Sequence, residues 1–183
     1  MLVIAWDAVK ESGLTLDFQA DAADFLELQL LVDNGECQFT GPVDIQLHAV
    51  PVSGMIEVSG TAEVPIQISC TRCLQEFDTP LRARFELTFV REAPLVHDEA
   101  DEEIELSADD LGLIEVPGDE IDLRQPIAEQ LILALPIKAL CREDCKGLCS
   151  QCGADLNLEP CGCEKSGSLG TFAALKDFKV KKS

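Results

Sequence analysis

The chain has 183 residues, 46% of them hydrophobic, and a formal net charge of −20. That length accommodates one domain, or one domain with a small appendage, and the apolar fraction suffices for a core. The charge excludes non-specific nucleic-acid binding by the whole surface, because phosphates are repelled at long range.

The N-terminal stretch "MLVIAWDAVKES" lacks a basic region and has only six apolar residues before Asp7, too few for a secretory signal. No run approaches the ~18–20 apolar residues of a membrane span. These features predict a cytoplasmic or organelle-matrix location with no membrane contact, where thiols stay reduced. Residues 21–35, "DAADFLELQLLVDNG", fit a short helix running into a strand.

From about residue 40 to 91 the chain reads as strands. Val43, Ile45, Leu47 and Ala49 alternate with polar neighbours, as do Val64, Ile66, Ile68 and Cys70, and then Leu81, Ala83, Phe85, Leu87 and Phe89. Period-two alternation predicts an antiparallel sheet with one buried face. Turns are expected at Ser53-Gly54, Ser59-Gly60 and Asp78–Pro80. His48 falls on the polar face and His97 borders an acidic run, so both read as solvated. Residues 98–110, "DEADEEIELSADD", carry eight acids and read as a solvated loop.

A helix is expected next, with Leu123, Ile127, Leu131 and Leu135 on one stripe. Pro126 is tolerated in its first turn, and Pro136 ends it at Leu135. It should cover one face or edge of the sheet. Near the end, "GTFAALKDF" suits a short helix with Phe172 and Leu175 as its apolar contacts. The division is thus residues 1–97, mainly β; 98–121, an acidic connector; and 122–183, the helix, a cysteine-rich segment and the short terminal helix.

The chemistry lies in the cysteines. Six of the nine crowd into residues 141–163, "CREDCKGLCSQCGADLNLEPCGC", and a C-x2-C pair, Cys70 and Cys73, lies far upstream. An odd count in a reducing compartment argues against disulfides. A C-x2-C turn sets two thiolates ~3.5–4 Å apart on one ion, and zinc takes four such ligands in a tetrahedron. Gly147 and Gly153 permit the positive φ that such turns require. Two groups of four follow. Cys149, Cys152, Cys161 and Cys163 form a local knuckle, and Cys70, Cys73, Cys141 and Cys145 tie the sheet to the segment after the helix. An alternative local site uses Cys145, Cys149, Cys152 and one of Cys161 or Cys163. Cys37 is left over as a reduced strand residue.

Other thiol chemistry fits less well. Cys73 is followed by a turn into another strand, not by the helix a thioredoxin-type dithiol opens. "CKGLCSQC" matches the C-x3-C-x2-C spacing of a radical iron–sulfur site, but only 31 residues follow Cys152, where a large barrel would be needed. Four thiolates accept iron–sulfur as well as zinc, with zinc the better fit. With both spheres closed by protein sulfur, no position is left for a catalytic water.

"CTRCLQEF" at 70–77, followed by "ALPIKALCREDCKGLCSQCGADLNLEPCGC" at 134–163, resembles the YceD family, described as large ribosomal RNA subunit accumulation proteins. The resemblance spans most of the chain but rests on no motif in the first 60 residues. It implies a non-enzymatic bacterial or plastid factor needed for large-subunit ribosomal RNA to accumulate. It supplies no catalytic residues, and genes of the family commonly neighbour that of a small large-subunit ribosomal protein.

The charge distribution offers two kinds of partner. Residues 138–183 hold eight basic and six acidic side chains, net +2, which leaves −22 on residues 1–137. Arg72, Arg82, Arg84, Arg142 and Lys146 are the candidate contacts for ribosomal RNA, with the tail lysines Lys176, Lys179, Lys181 and Lys182 as additions. The acidic surface equally suits a basic large-subunit ribosomal protein. No small-molecule substrate is indicated. The expected architecture is α+β: an antiparallel β domain, a covering helix and a C-terminal zinc-binding segment, with two zinc ions.

Overall fold

The computed structural model describes residues 2–92, 96–97, 103–104 and 112–163. In chain order these form β1 (Val3–Ala5), β2 (Leu14–Ala20), α1 (Leu26–Asp33), β3 (Gln38–Phe39), β4 (Val43–Val52), β5 (Met55–Ser69) and β6 (Glu76–Val90). Then come β7 (Val96–His97), β8 (Glu103–Ile104), β9 (Ile114–Glu115), β10 (Glu120–Asp122) and α2 (Arg124–Leu133).

The main sheet runs β2-β4-β5-β6-β9, with β3 also pairing on β5. Its pairs are antiparallel except β6 with β9, which is parallel at Phe89↔Ile114. The sheet is therefore mostly antiparallel but mixed at one edge, where a purely antiparallel domain was expected. Two small antiparallel pairs stand apart, β1 with β10 and β7 with β8.

Alternation puts Val43, Ile45, Leu47 and Ala49 of β4, Val64, Ile66 and Ile68 of β5, and Leu81, Ala83 and Phe85 of β6 on one buried face. The two helices cover that face. Phe25, Leu28 and Leu31 on or beside α1, and Leu123, Ile127, Ala128 and Leu131 on or beside α2, join the same buried cluster. Burying these aliphatic and aromatic side chains is the main force holding sheet and helices together, at ~1.5–3 kcal/mol for each large side chain.

Of the helix running into a strand expected over 21–35, α1 is the helix, but the strand begins only beyond that stretch, as β3 at Gln38. The later helix stops at Leu133, two residues short of the expected end, and Leu135 is only partly buried.

Two of the three expected turns are not turns. The first hairpin does reverse at Ser53-Gly54, both at positive φ. Ser59 and Gly60, however, lie inside the 15-residue β5, and Asp78–Pro80 lies inside β6. Gly60 is there for space. A Cβ on it would collide with the Gln46 carbonyl and lie 2.7 Å from Phe85 Cζ. The Phe85 ring fills the place of the missing side chain. Gly60→Val should thus cost about 1–3 kcal/mol through overpacking, read as a lower denaturant midpoint with an unchanged slope. Pro65 and Pro80, which also mimic punctuation, stand opposite each other across β5 and β6.

The connector is partly built into the sheets. β9 joins the main sheet and β10 pairs with β1. Within 98–110, Glu103–Ile104 is strand and not loop, and the other residues of that run lie outside the described residues. The terminal helix expected around Phe172 and Leu175, and the tail lysines, also lie outside them. No helix among the described residues is long and apolar enough to cross a membrane.

Candidate metal centres

The real reversal between β5 and β6 is the C-x2-C itself. Residues 70–75 turn the chain through Leu74, whose φ is +61°. Cys70 N–H donates to the Gln75 carbonyl at 2.9 Å, and Leu74 N–H donates to the Cys70 carbonyl at 2.9 Å. Residues 149–154 repeat this turn bond for bond. There Cys149 N–H donates to the Ala154 carbonyl at 2.8 Å, Gly153 N–H donates to the Cys149 carbonyl at 2.9 Å, and Gly153 has φ +72°. Glycine takes this left-handed position without steric cost, whereas Leu74 holds it against the preference of a side chain.

Long-range packing then completes each set. After α2 the chain returns along the first knuckle, with Thr71 N–H and Oγ1–H both donating to the Ala139 carbonyl, at 2.8 and 3.0 Å. This delivers Cys141 and Cys145. In the set Cys70, Cys73, Cys141 and Cys145, and again in the set Cys149, Cys152, Cys161 and Cys163, the four sulfurs lie within 4.8 Å of one another. Cys70 Sγ is 3.8 Å from Cys145 Sγ, and Cys73 Sγ is 3.7 Å from Cys141 Sγ. A regular tetrahedron of sulfurs ~2.3 Å from a central ion has edges of about 3.8 Å, whereas a disulfide needs ~2.05 Å. Each set could hold one metal ion. Cys145 belongs with Cys70, so the alternative grouping with Cys149 and Cys152 is not the one adopted.

The two sets differ in exposure. Cys70, Cys73 and Cys145 are buried, with Phe77, Leu140 and Leu148 packed around them. In the second set Cys152 is exposed and the others are half-buried. We call them the inner and outer sets.

Acidity is split within each. The backbone N–H of Cys141, followed by those of Cys73 and Arg72, pulls the Cys70 thiol down to about 6 against its burial. The backbone N–H groups of Cys152 and Gln151 do the same for Cys149, to about 6. Burial and then the neighbouring thiols push Cys141 up to about 12, and the Cys152 side chain followed by burial does so for Cys163. Four crowded sulfurs cannot all ionise unaided, and a central cation is what allows it. Cys37 stands apart, buried just ahead of β3, its thiol raised by burial and by Glu36.

Asn157, Asp155 and the backbone of Arg72 also contribute to the inner set, and sequence reasoning passed over all three. Asn157 Nδ2 donates to Cys145 Sγ at 3.5 Å, and Asp155 Oδ1 accepts from Asn157 N–H at 2.9 Å. The "DLN" of an Asx turn inside a cysteine loop was the available signal. Leu148 N–H donates to the Arg72 carbonyl at 3.1 Å, and a Cβ on Gly147 would lie 2.9 Å from that same oxygen. Gly147 thus serves close approach as well as its φ of +74°.

The five candidate RNA contacts are largely engaged within the chain. Arg72 Nη1 donates to the Cys145 carbonyl at 2.7 Å. Arg82 pairs with Glu63 at 2.9 Å, and Arg142 reaches Asp144 at 3.4 Å and Asn157 Oδ1 at 2.9 Å. Arg84 and Lys146 are exposed. Arg82 and Arg84 share the outer sheet face with Asp17, Asp44, Glu57, Glu63, Asp78 and Glu86. His48 is on this face too, its Nδ1 3.0 Å from Thr15 Oγ1.

Comparison with known proteins places the chain. Residues 58–179 match the family described as Large ribosomal RNA subunit accumulation protein YceD. An uncharacterized protein of Mycobacterium tuberculosis is 36% identical over 118 residues, 64% of this chain and 53% of its own. Large ribosomal RNA subunit accumulation protein YCED homolog 1, chloroplastic, of Zea mays is 27% identical over 180 residues, 84% of this chain and 59% of its own. The Arabidopsis thaliana protein of the same name is 24% identical over 185 residues, 90% of this chain and 58% of its own. The chain thus spans little more than half the length of the curated relatives it matches, and no solved structure matches it. The family match covers both C-x2-C knuckles and every cysteine of the two sets, and on it the chain belongs to the YceD family.

Proposed function

We propose that the protein is a non-enzymatic, cytoplasmic ribosome-biogenesis factor that supports accumulation of large-subunit ribosomal RNA, with two structural zinc ions. The observation that carries this reading is the pair of four-sulfur sets within a chain of this family. Four protein thiolates fill a zinc's tetrahedral sphere and leave no position for a reacting water, so the ions act as staples. Apparent stabilisation is about 10–16 kcal/mol for zinc in small fingers. In this reading the protein is α+β, with a mainly β part (1–97), an acidic connector (98–121), and the helix with the zinc segment (122–183).

The same reading makes a basic protein of the large subunit the direct partner. Carboxylates far outnumber Arg82 and Arg84 on the outer sheet face, and Arg82 is already paired. Opposite charge steers such an encounter. Direct RNA contact is the second reading, favoured by the clustering of Arg72, Arg142 and Lys146 around Cys145 and Asn157.

Metal analysis of protein purified without added metal tests the staple reading and should give two zinc per chain. One per chain would reject the two-ion assignment, and visible sulfur-to-iron absorbance would reject zinc.

A further inference from the structure

We infer that Asn157 couples the two cysteine sets energetically, so that an ion held by the outer set raises the metal affinity of the inner one. The inference deepens the zinc reading and rests on it.

Every hydrogen-bonding site on this side chain is used. Oδ1 accepts from Lys146 N–H at 2.7 Å and from Arg142 Nη2 at 2.9 Å. Nδ2 donates to Asp155 Oδ1 at 2.7 Å and to Cys145 Sγ at 3.5 Å. Two donors meet two acceptors, and two acceptor lone pairs meet two donors, so the amide has one workable orientation. Flipping it would set N–H against N–H and oxygen against a thiolate and a carboxylate. Asn157 therefore grips the inner set's arm on both sides of Cys145 and touches the sulfur itself.

The residue does not belong to the inner set's own segments. It lies in the loop 153–160, whose ends are fixed by Cys152 and Cys161 of the outer set. Leu156 N–H to the Gly147 carbonyl, at 3.0 Å, and the Leu148–Asp155 bridge hold that loop against the inner arm. Four thiolates around a divalent ion leave a net charge of about −2, and an N–H donated to one sulfur offsets part of it. An outer ion orders the loop that presents this donor. Without that ion the loop gains freedom, and holding Asn157 in place costs entropy. Coupling of this kind is reciprocal by linkage.

The test is a double-mutant cycle on the full chain, with zinc as the probe and a competing chelator as the readout. Cys161→Ser with Cys163→Ser disables the outer set and isolates the inner one. With the outer set intact, Asn157→Ala should weaken the inner set about 10–100-fold, the usual effect of removing a hydrogen bond to a metal ligand. With the outer set disabled, the inner affinity should already be reduced by a comparable factor, and Asn157→Ala should change it little further. Equal losses in both backgrounds, or no loss in either, would overturn the coupling.

Asn157→Asp keeps the oxygen that Lys146 and Arg142 use but sets a carboxylate oxygen, in place of the N–H, against Asp155 and the Cys145 sulfur. It should weaken the inner set at least as much as Asn157→Ala, and with cobalt as the probe it should shift the sulfur-to-metal absorption of the inner set. Asn157→Asp with wild-type affinity and an unshifted band would also overturn the proposal. If the wild-type chain holds no zinc, the staple reading fails instead, which this arrangement separates from a failure of coupling.

Discussion

Replacing Cys73 with Ser should free residues 141–163 from the sheet, although 68 positions separate it from Cys141, its sulfur neighbour at 3.7 Å. The segment has little else to hold it. Between residues 135 and 163 the buried apolar side chains are Ala139 and Cys145, so hydrophobic burial contributes little there. What remains is a short series of hydrogen bonds from Thr71, Arg72 and Leu148, each worth ~0.5–1.5 kcal/mol net. Those do not offset the entropy of closing a long loop once the ion is lost. The expected result is a zinc content of one per chain and rapid proteolysis within 141–163. The strands and α2 should stay resistant, because their shared core contains none of the eight cysteines of the two sets. Protection equal to wild type would show that Cys70 and Cys73 do not share an ion with Cys141 and Cys145.

Charge reversal on the outer sheet face should have the larger effect in cells. Asp44→Lys, Glu63→Lys and Glu86→Lys together should remove association with a basic large-subunit protein and lower large-subunit RNA. Binding by the wild-type face should weaken as salt is raised, since the attraction acts through solvent. Arg82→Glu with Arg84→Glu should instead leave RNA levels near wild type. The Arg82–Glu63 pair is solvent-exposed, with side-chain exposures of 69% and 47%, so water and salt screen it and the fold survives its loss. Both sets of changes leave the cysteines untouched, so zinc content serves as the folding control. The opposite pattern, RNA lost with the arginine changes and kept with the lysine changes, would transfer the role to direct RNA contact. Crosslinking with sequencing of bound RNA, beside identification of co-purified proteins, would then locate that contact.

Much of the β framework was readable from the chain alone. Alternation in 43–49, 64–70 and 81–89 requires one buried face, because successive side chains of a strand point to opposite sides. The stripe Leu123, Ile127, Leu131 likewise requires a covered helix face. The two C-x2-C pairs were readable too, since that spacing forces two sulfurs together whatever surrounds them. Local rules went wrong where a residue answers to a distant neighbour. Gly60 and Pro80 look like turn residues, yet Gly60 makes room for Phe85 and Pro80 stands opposite Pro65. β9 and β10 were invisible because strands of two and three residues have no period to detect. Their existence depends on the free edges of β6 and β1. The sequence alone determined which atoms could bind a metal and which faces must be buried, because both follow from spacing within a single element. Only the tertiary structure decided that Cys145 joins Cys70, that Asn157 caps its sulfur, and that Arg82 meets Glu63. Those contacts form between segments far apart in the chain, and packing of the sheet and helices is what brings them within reach.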